Sequence, residues 1–194
     1  MNTREKILEA VLKNQPTSTP LPDIDSFKGD NTDLVQKYID VFKTIGGNAL
    51  SVDDITAVKM FINQNFDTSK RIVTTVNELS DNLELISDTV DPHTYNDVEL
   101  AIIKAHFSVA ENGAVWLTDE VMGQRIIPYI CQHLAVIVNA QNIVPTLHEA
   151  YQKIGLGEYS FGGFIGGPSK TADIEQALVL GAHGPLSMTV FIMK

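Results

Sequence analysis

The chain has 194 residues, 44% of them apolar and 20% charged, a balance typical of folded globular proteins that excludes disordered and collagen-like classes. Its formal charge is −10, and its only arginines, Arg4, Arg71 and Arg125, are scattered, so a nucleic-acid backbone is excluded as a partner. No apolar run approaches the ~20 residues that span a bilayer and the N-terminus has no signal-peptide stretch, so the expectation is a cytoplasmic protein without membrane insertion.

Residues 3–14 predict a helix, with Ile7, Leu8, Val11 and Leu12 at helical spacing and Thr3 as its cap. Gln15–Pro22 holds prolines at 16, 20 and 22, which fix φ and remove donors, so an extended linker follows. Residues 1–30 therefore read as a helical arm and linker, and residues 31–194 as the domain. A second helix spans 31–45, with Leu34, Tyr38, Val41, Phe42 and Ile45 on one face, and Gly46-Gly47 ends it. Asn48–Val52 reads as a strand, and Asp53 caps a third helix running to Phe66. Arg71–Val76 is β-branched and reads as a strand, with another near Leu83–Ser87.

Within Val98–Leu117, Ala114–Leu117 reads as strand, while Leu100–Phe107 fits either type. His133–Asn139 is a continuous apolar run, as expected of a buried strand. Pro145 starts a helix through Ile154 that turns Leu147, Ala150, Tyr151 and Ile154 inward. Ser160–Ile165 reads as a strand, a helix runs from Ser169 or Thr171 to Leu180, and Leu186–Met193 is the last strand. Strands alternating with helices predict an α/β fold whose mainly parallel sheet is covered on both faces.

Three segments carry candidate chemistry. Gly162–Glu175 reads G-G-F-I-G-G-P-S-K-T-A-D-I-E, a glycine-rich turn leaving a strand and entering a helix. Such a turn offers backbone N–H groups to an anion. It is no Walker loop, because Pro168 and Ser169 separate Gly167 from Lys170, and Gly155-Leu156-Gly157 lacks the third glycine of the dinucleotide fingerprint. Asp173 and Glu175 complement the helix dipole and repel a phosphate, which leaves a plain capped turn and a binding loop both open. Gly181–Pro185 reads G-A-H-G-P and displays His183, whose charge can change near neutral pH. With a helix between the two loops, His183 lies roughly 12 Å or more from Thr171. Glu111-Asn112-Gly113 interrupts an apolar run as either a hairpin turn or a pocket carboxylate. The histidines show no metal-ligand spacing, and no G-x-S-x-G elbow is present. The lone Cys131 cannot hold an iron–sulfur cluster, which takes four protein ligands.

These segments resemble the LUD (lactate utilization) domain family, in particular its LutC-type (YkgG) group. The resemblance rests on G-P-S-K-T-A-D-I-E at Gly167–Glu175 and L-V-L-G-A-H-G-P at Leu178–Pro185. It is supported by A-E-N-G-A-V-W-L at Ala110–Leu117 and R-I-I-P-Y-I-C-Q-H-L-A-V-I-V at Arg125–Val138. It implies a three-layer α/β/α sandwich of the NagB/RpiA/CoA-transferase type. It further implies a non-redox subunit of a LutABC-like system that oxidises L-lactate to pyruvate. Iron–sulfur clusters are then expected on LutA/LutB-like partners and no cofactor on this chain. The expected ligand site is Gly113, Gly167, Ser169, Lys170, Thr171, Asp173 and Glu175. Ser169, Thr171 and backbone amides would hold a small anion, with Glu111 and His183 as the expected catalytic pair. Asp173 and Glu175 would alternatively face a partner. A-E-N-G is also similar to the S-E-N-G of class I CoA-transferases, with Ala110 in the serine's place. The alternative is therefore a stand-alone enzyme of CoA-transferase or sugar-phosphate isomerase type, with Glu111 as nucleophile. A third possibility is an interaction module whose N-terminal arm wraps a second copy in a homo-oligomer.

Overall fold

The computed structural model describes residues 2–171 and 179–194. Helix α1 (Thr3–Lys13) starts with a capping box in which the Asn2 side chain accepts from the Glu5 amide and the Glu5 carboxylate accepts from the Asn2 amide. Asn2, rather than Thr3, is thus the cap. No residue of α1 is buried. The proline-containing stretch behind it is exposed, and the chain meets the body again at Phe27, whose ring stacks on His148 at 5.2 Å. The Gly29 amide then donates to Glu149 Oε1 at 3.1 Å.

Helix α2 (Leu34–Thr44) buries Tyr38 and Phe42 completely. Strand β1 (Asn48–Val52) leads to α3 (Ile55–Asn65), whose cap is Asp54, accepting from the Ala57 amide, and not Asp53, which pairs with Lys194. Next come β2 (Ile72–Thr74), β3 (Glu84–Leu85), β4 (Leu100–Lys104), β5 (Phe107–Val109) and β6 (Val115–Thr118). The short helices α4 (Asp119–Met122) and α5 (Ile127–Ile130) precede β7 (His133–Asn139), β8 (Ile143–Val144) and α6 (Leu147–Ile154). The chain closes with β9 (Gly162–Ile165), β10 (Lys170–Thr171), β11 (Val179–Leu180) and β12 (Ser187–Met193).

Six strands form one sheet in the order β1-β12-β7-β4-β2-β3, and every pairing in it is parallel. Its central strands are buried on both faces by strict alternation. Leu100, Ile102, Ala135, Ile137 and Phe191 pack with Val58 and Ile62 of α3. Ala101, Ile103, Val136, Val138 and Val190 pack with Tyr38 and Phe42 of α2, Met122 of α4 and Ile127 of α5. Helices therefore cover both faces, the α/β arrangement expected. A period of two with apolar residues at both phases is what a parallel sheet requires.

A second sheet, β8-β5-β6-β9, lies on the α2 side, with Ala110, Val115 and Leu117 facing the large sheet. Its outer face holds Phe107, Val109 and Trp116 under Ala150 of α6. The ambiguous segment 100–107 thus belongs to two strands of different sheets. The Ala105 amide still donates to Ile137 O in the large sheet, while the His106 amide donates to Trp116 O in the small one.

Two expectations are corrected. Tyr151 on α6 is 61% exposed, because the small sheet fills the helix's inner side with Leu147, Ala150 and Ile154. The expected helix from Ser169 or Thr171 to Leu180 is not continuous. Its two ends pair as an antiparallel ribbon, Lys170 opposite Leu180 and Thr171 opposite Val179, and residues 172–178 lie outside the described residues. Among the described residues, no helix is long and apolar enough to cross a membrane.

Ser108 Oγ is fully buried between the two sheets, with no partner among the described residues. Leaving a hydroxyl unpaired in an apolar layer costs about 1–3 kcal/mol of desolvation. Ser108→Ala is therefore expected to be neutral or stabilising by up to ~1 kcal/mol in urea unfolding. A loss above that size would mean that the hydroxyl is in fact satisfied.

Candidate functional site

Strands β1, β12 and β7 are parallel neighbours, so the segments that precede them gather at one edge of the sheet. These segments are Ile45–Gly47, 181–186 and 128–132. The turn leaving β9 folds onto the same edge. Gly167 adopts φ +79°, and a Cβ there would sit 3.1 Å from Ile45 O, so only glycine fits between this turn and the end of α2. The Ser169 amide donates to Pro185 O at 2.9 Å, and the Gly181 amide donates to Ser169 O at 3.1 Å. These two bonds stitch the glycine-proline turn to the His183 loop.

The result is a cleft of about 310 Å³, lined by Gly166, Gly167, Ser169, Lys170 and His183, with Tyr129 and Pro185 on its walls. The ribbon β10–β11 explains why the two loops meet. It folds the chain back at Val179, where a helix through to Leu180 would hold His183 away. Lys170 Nζ donates to Ile45 O, putting a cation at the negative end of α2. The Gly166 and Gly167 amides have no acceptor among the described residues. No carboxylate lines the cleft among the described residues, in a chain with 24 acidic side chains.

The other candidates lie elsewhere. Thr171 is turned into the ribbon, its hydroxyl donating to Val179 O at 3.4 Å. Asp173 and Glu175 lie outside the described residues. Gly113 is buried, its carbonyl accepting from the Tyr38 hydroxyl at 3.0 Å, and its φ of +73° brings it against Ile45 and Phe42. It walls the base of the neighbouring turn and does not line the cleft. Glu111 is exposed, and its Oε2 accepts from the Leu147 amide at 2.8 Å in the first turn of α6. The turn reading of Glu111-Asn112-Gly113 describes this geometry: the carboxylate supports a helix start, and the Asn112 side chain accepts from the Ala114 amide.

Sequence reasoning missed a second hollow at the opposite, carboxyl-terminal edge of the sheet. There His106 Nε2 lies 2.7 Å from the hydroxyl of Thr118, which is 5% exposed. Trp116, Glu120, Lys153, Glu158 and Tyr159 complete a crevice of about 290 Å³. An adjoining hollow shares Glu120 and adds Asp88 and Asp119. In open α/β sheets this edge is the common place for ligands. Its carboxylates make it a poor seat for an anion. The only local signal was a histidine directly after an apolar run, which metal-ligand spacing rules pass over.

Cys131 is 1% exposed, and burial pushes its thiol up to about 12, so it is sealed as a neutral core side chain. Among the described residues, no three His, Cys, Asp or Glu side chains are grouped to hold a metal ion.

The LUD domain family model matches residues 3–193. The chain is 29% identical over 101 residues to lactate utilization protein C of Oceanobacillus iheyensis, covering 49% of this chain and 43% of that protein. Against the protein of the same name from Geobacillus kaustophilus it is 33% identical over 101 residues, covering 48% and 42%. For Anoxybacillus flavithermus the figures are 31% over 114 residues, 58% and 48%. The chain thus spans under half the length of the curated relatives it matches. A crystal structure of a DUF162 family protein from Deinococcus radiodurans superposes with a TM-score of 0.64 at 13% identity, covering 85% of this chain and 99% of that one, a likeness of fold.

Proposed function

The chain belongs to the LUD domain family, with LutC-like relatives, and from that premise we propose that it is the non-redox component of an iron–sulfur system oxidising L-lactate to pyruvate. In this reading it holds a small carboxylate and docks LutA/LutB-like iron–sulfur partners, in the cytoplasm. The observation that carries the ligand part is electrostatic. The cleft between the glycine-proline turn and the His183 loop is lined by Lys170, His183, Ser169 and by Gly166 and Gly167, whose amides have no acceptor, and by no carboxylate, among the described residues. A carboxylate seated there would accept from Ser169 Oγ and the Gly166 and Gly167 amides, with Lys170 and His183 supplying charge. Cys131 supports this division of labour. One sealed thiol cannot bind a cluster that needs four ligands, so electrons would travel through partners.

Two measurements test this. Titration of L-lactate and pyruvate by calorimetry is expected to show binding that weakens about tenfold in Lys170→Ala and again in His183→Ala, the loss of ~1.4 kcal/mol per charge-assisted contact. Co-expression with adjacent-gene iron–sulfur proteins is expected to give a complex that co-purifies. Undiminished lactate oxidation by those proteins without this chain would overturn the subunit assignment.

A further inference from the structure

The cleft beside His183 has two chemically different halves, and a lactate carboxylate uses only one of them. The polar half is Ser169, Lys170, His183 and the turn at Gly166 and Gly167. The other half of the lining is Pro128, Tyr129, Ile165 and Pro185. The halves adjoin, because the Ser169 amide donates to the carbonyl of Pro185 at 2.9 Å.

The second wall is apolar and poor in donors. Pro128 and Pro185 have no amide hydrogen to give. The Tyr129 amide is already spent on Ile126 O at 2.9 Å. Tyr129 is nevertheless 44% exposed, so its ring is open to a ligand. Lactate ends in a methyl group and would leave most of this wall against water. Clefts of roughly 300–1,000 Å³ hold ligands of drug size, and this one measures about 310 Å³. In a step that rests on the carboxylate-binding reading, we propose that the site takes 2-hydroxy acids bearing a ring-sized apolar group on the third carbon, and that Tyr129 selects them. The carboxylate lies in the polar half and the apolar group against Tyr129, where an aromatic contact adds to the area it buries. Lactate is then the smallest ligand of the site and not its best.

A peptide carboxy-terminus also joins a carboxylate to an apolar side chain, but it brings an amide N–H that needs an acceptor. The carbonyls at the junction of the two halves are occupied. Pro185 O accepts from the Ser169 amide, Ser169 O from the Gly181 amide at 3.1 Å, and Ile45 O from Lys170 Nζ. Among the described residues no carboxylate lines the cleft. A 2-hydroxyl rotates and can accept from the donors present, a role closed to an amide N–H. The donor-rich half therefore favours the hydroxy acid over the peptide.

Equilibrium titration of the full chain with L-lactate, L-3-phenyllactate and N-acetyl-L-phenylalanine tests this. Phenyllactate is expected to bind about tenfold more tightly than lactate, a gain of ~1.4 kcal/mol. N-acetylphenylalanine, with the same ring and carboxylate plus a peptide amide, is expected to bind about tenfold more weakly than phenyllactate. Tyr129→Ala is expected to bring phenyllactate down to the affinity of lactate and to leave lactate unchanged, whereas Tyr129→Phe keeps the tenfold ratio. Lys170→Ala weakens both acids equally and also keeps the ratio. The ratio in the native chain needs no variant, so it decides the matter even if Tyr129→Ala does not fold. A native ratio near one would overturn the proposal, as would a ratio that survives in folded Tyr129→Ala. N-acetylphenylalanine bound as tightly as phenyllactate would overturn it in favour of a peptide terminus. With lactate still bound, those results leave the carboxylate reading standing, whereas a native chain that binds neither acid overturns both.

Discussion

Phe42→Ala is expected to lower the unfolding free energy by about 3–5 kcal/mol, the largest effect of any single truncation considered. Phe42 is completely buried and its ring stacks on Tyr38 at 5.4 Å. Two backbone turns close directly onto the ring. A Cβ on Gly47 would stand 2.1 Å from Phe42 Cε1, and one on Gly113 would stand 3.1 Å from Cδ2. Neighbours this tight leave no means of collapsing into the space, so the cavity term adds fully to the transfer term. A domain with typical stability of 5–15 kcal/mol would be left near its threshold. Urea unfolding followed by Trp116 emission measures it, and a loss under ~1 kcal/mol would contradict the packing described. Tyr38→Phe is the milder companion. Burial pushes the Tyr38 phenol well above its ordinary value, so it remains a donor to Gly113 O, and its loss is expected to cost about 1–2 kcal/mol.

Arg71→Ala is expected to cost about 1–2 kcal/mol at pH 7, a modest figure because the pairs are partly wet. Arg71 grips Glu84 with two nitrogens, at 2.6 and 2.9 Å, and Asp97 with a third contact at 2.7 Å. It also donates to Thr94 O and lies over the Tyr95 ring at 5.0 Å. The edge strand β3 and the turn before β4 are thereby tied to the start of β2. The pH dependence has a definite sign. Hydrogen bonds from the guanidinium hold the Glu84 and Asp97 carboxyls below their ordinary values of 4.5 and 3.8. Their contribution is complete above those values and is lost as pH falls through the depressed ones. The stability gap between the native chain and Arg71→Ala is therefore open at pH 7, narrows below about pH 4.5 and closes in acid. A gap that stayed constant from pH 7 to 3 would show that Arg71 acts by packing alone.

Much of the fold can be read locally. β7 and β12 are apolar at both phases because both of their faces are buried, and a continuous Val/Ile run carries that information in the residues themselves. The caps are legible only to within one position, since Asn2 and Asp54 have neighbours, Thr3 and Asp53, that are themselves capping residues. The step from the large sheet to the small one at Ala105–His106 has no local signature. The residues on both sides are apolar, and partners far along the chain decide which sheet each strand joins. The candidate site divides in the same way. The loop composition marked Gly167, Ser169, Lys170 and His183, but the ribbon that unites them depends on pairing across the residues between. Glu111 meets the Leu147 amide, a contact across 36 residues that no local pattern encodes.

Strand β12 sits between β1 and β7, although it follows both of them in the sequence. β1 therefore has no strand neighbour until residues 187–193 have been made. Until then β1 and β7 each show a bare hydrogen-bonding edge and apolar faces, the surface that chaperones bind and that nascent chains aggregate through. Termination just before Ser187 would leave β1 alone beside the four-stranded sheet β7-β4-β2-β3 with nothing to join them, so such truncated products should be degraded rather than accumulate as partly active fragments.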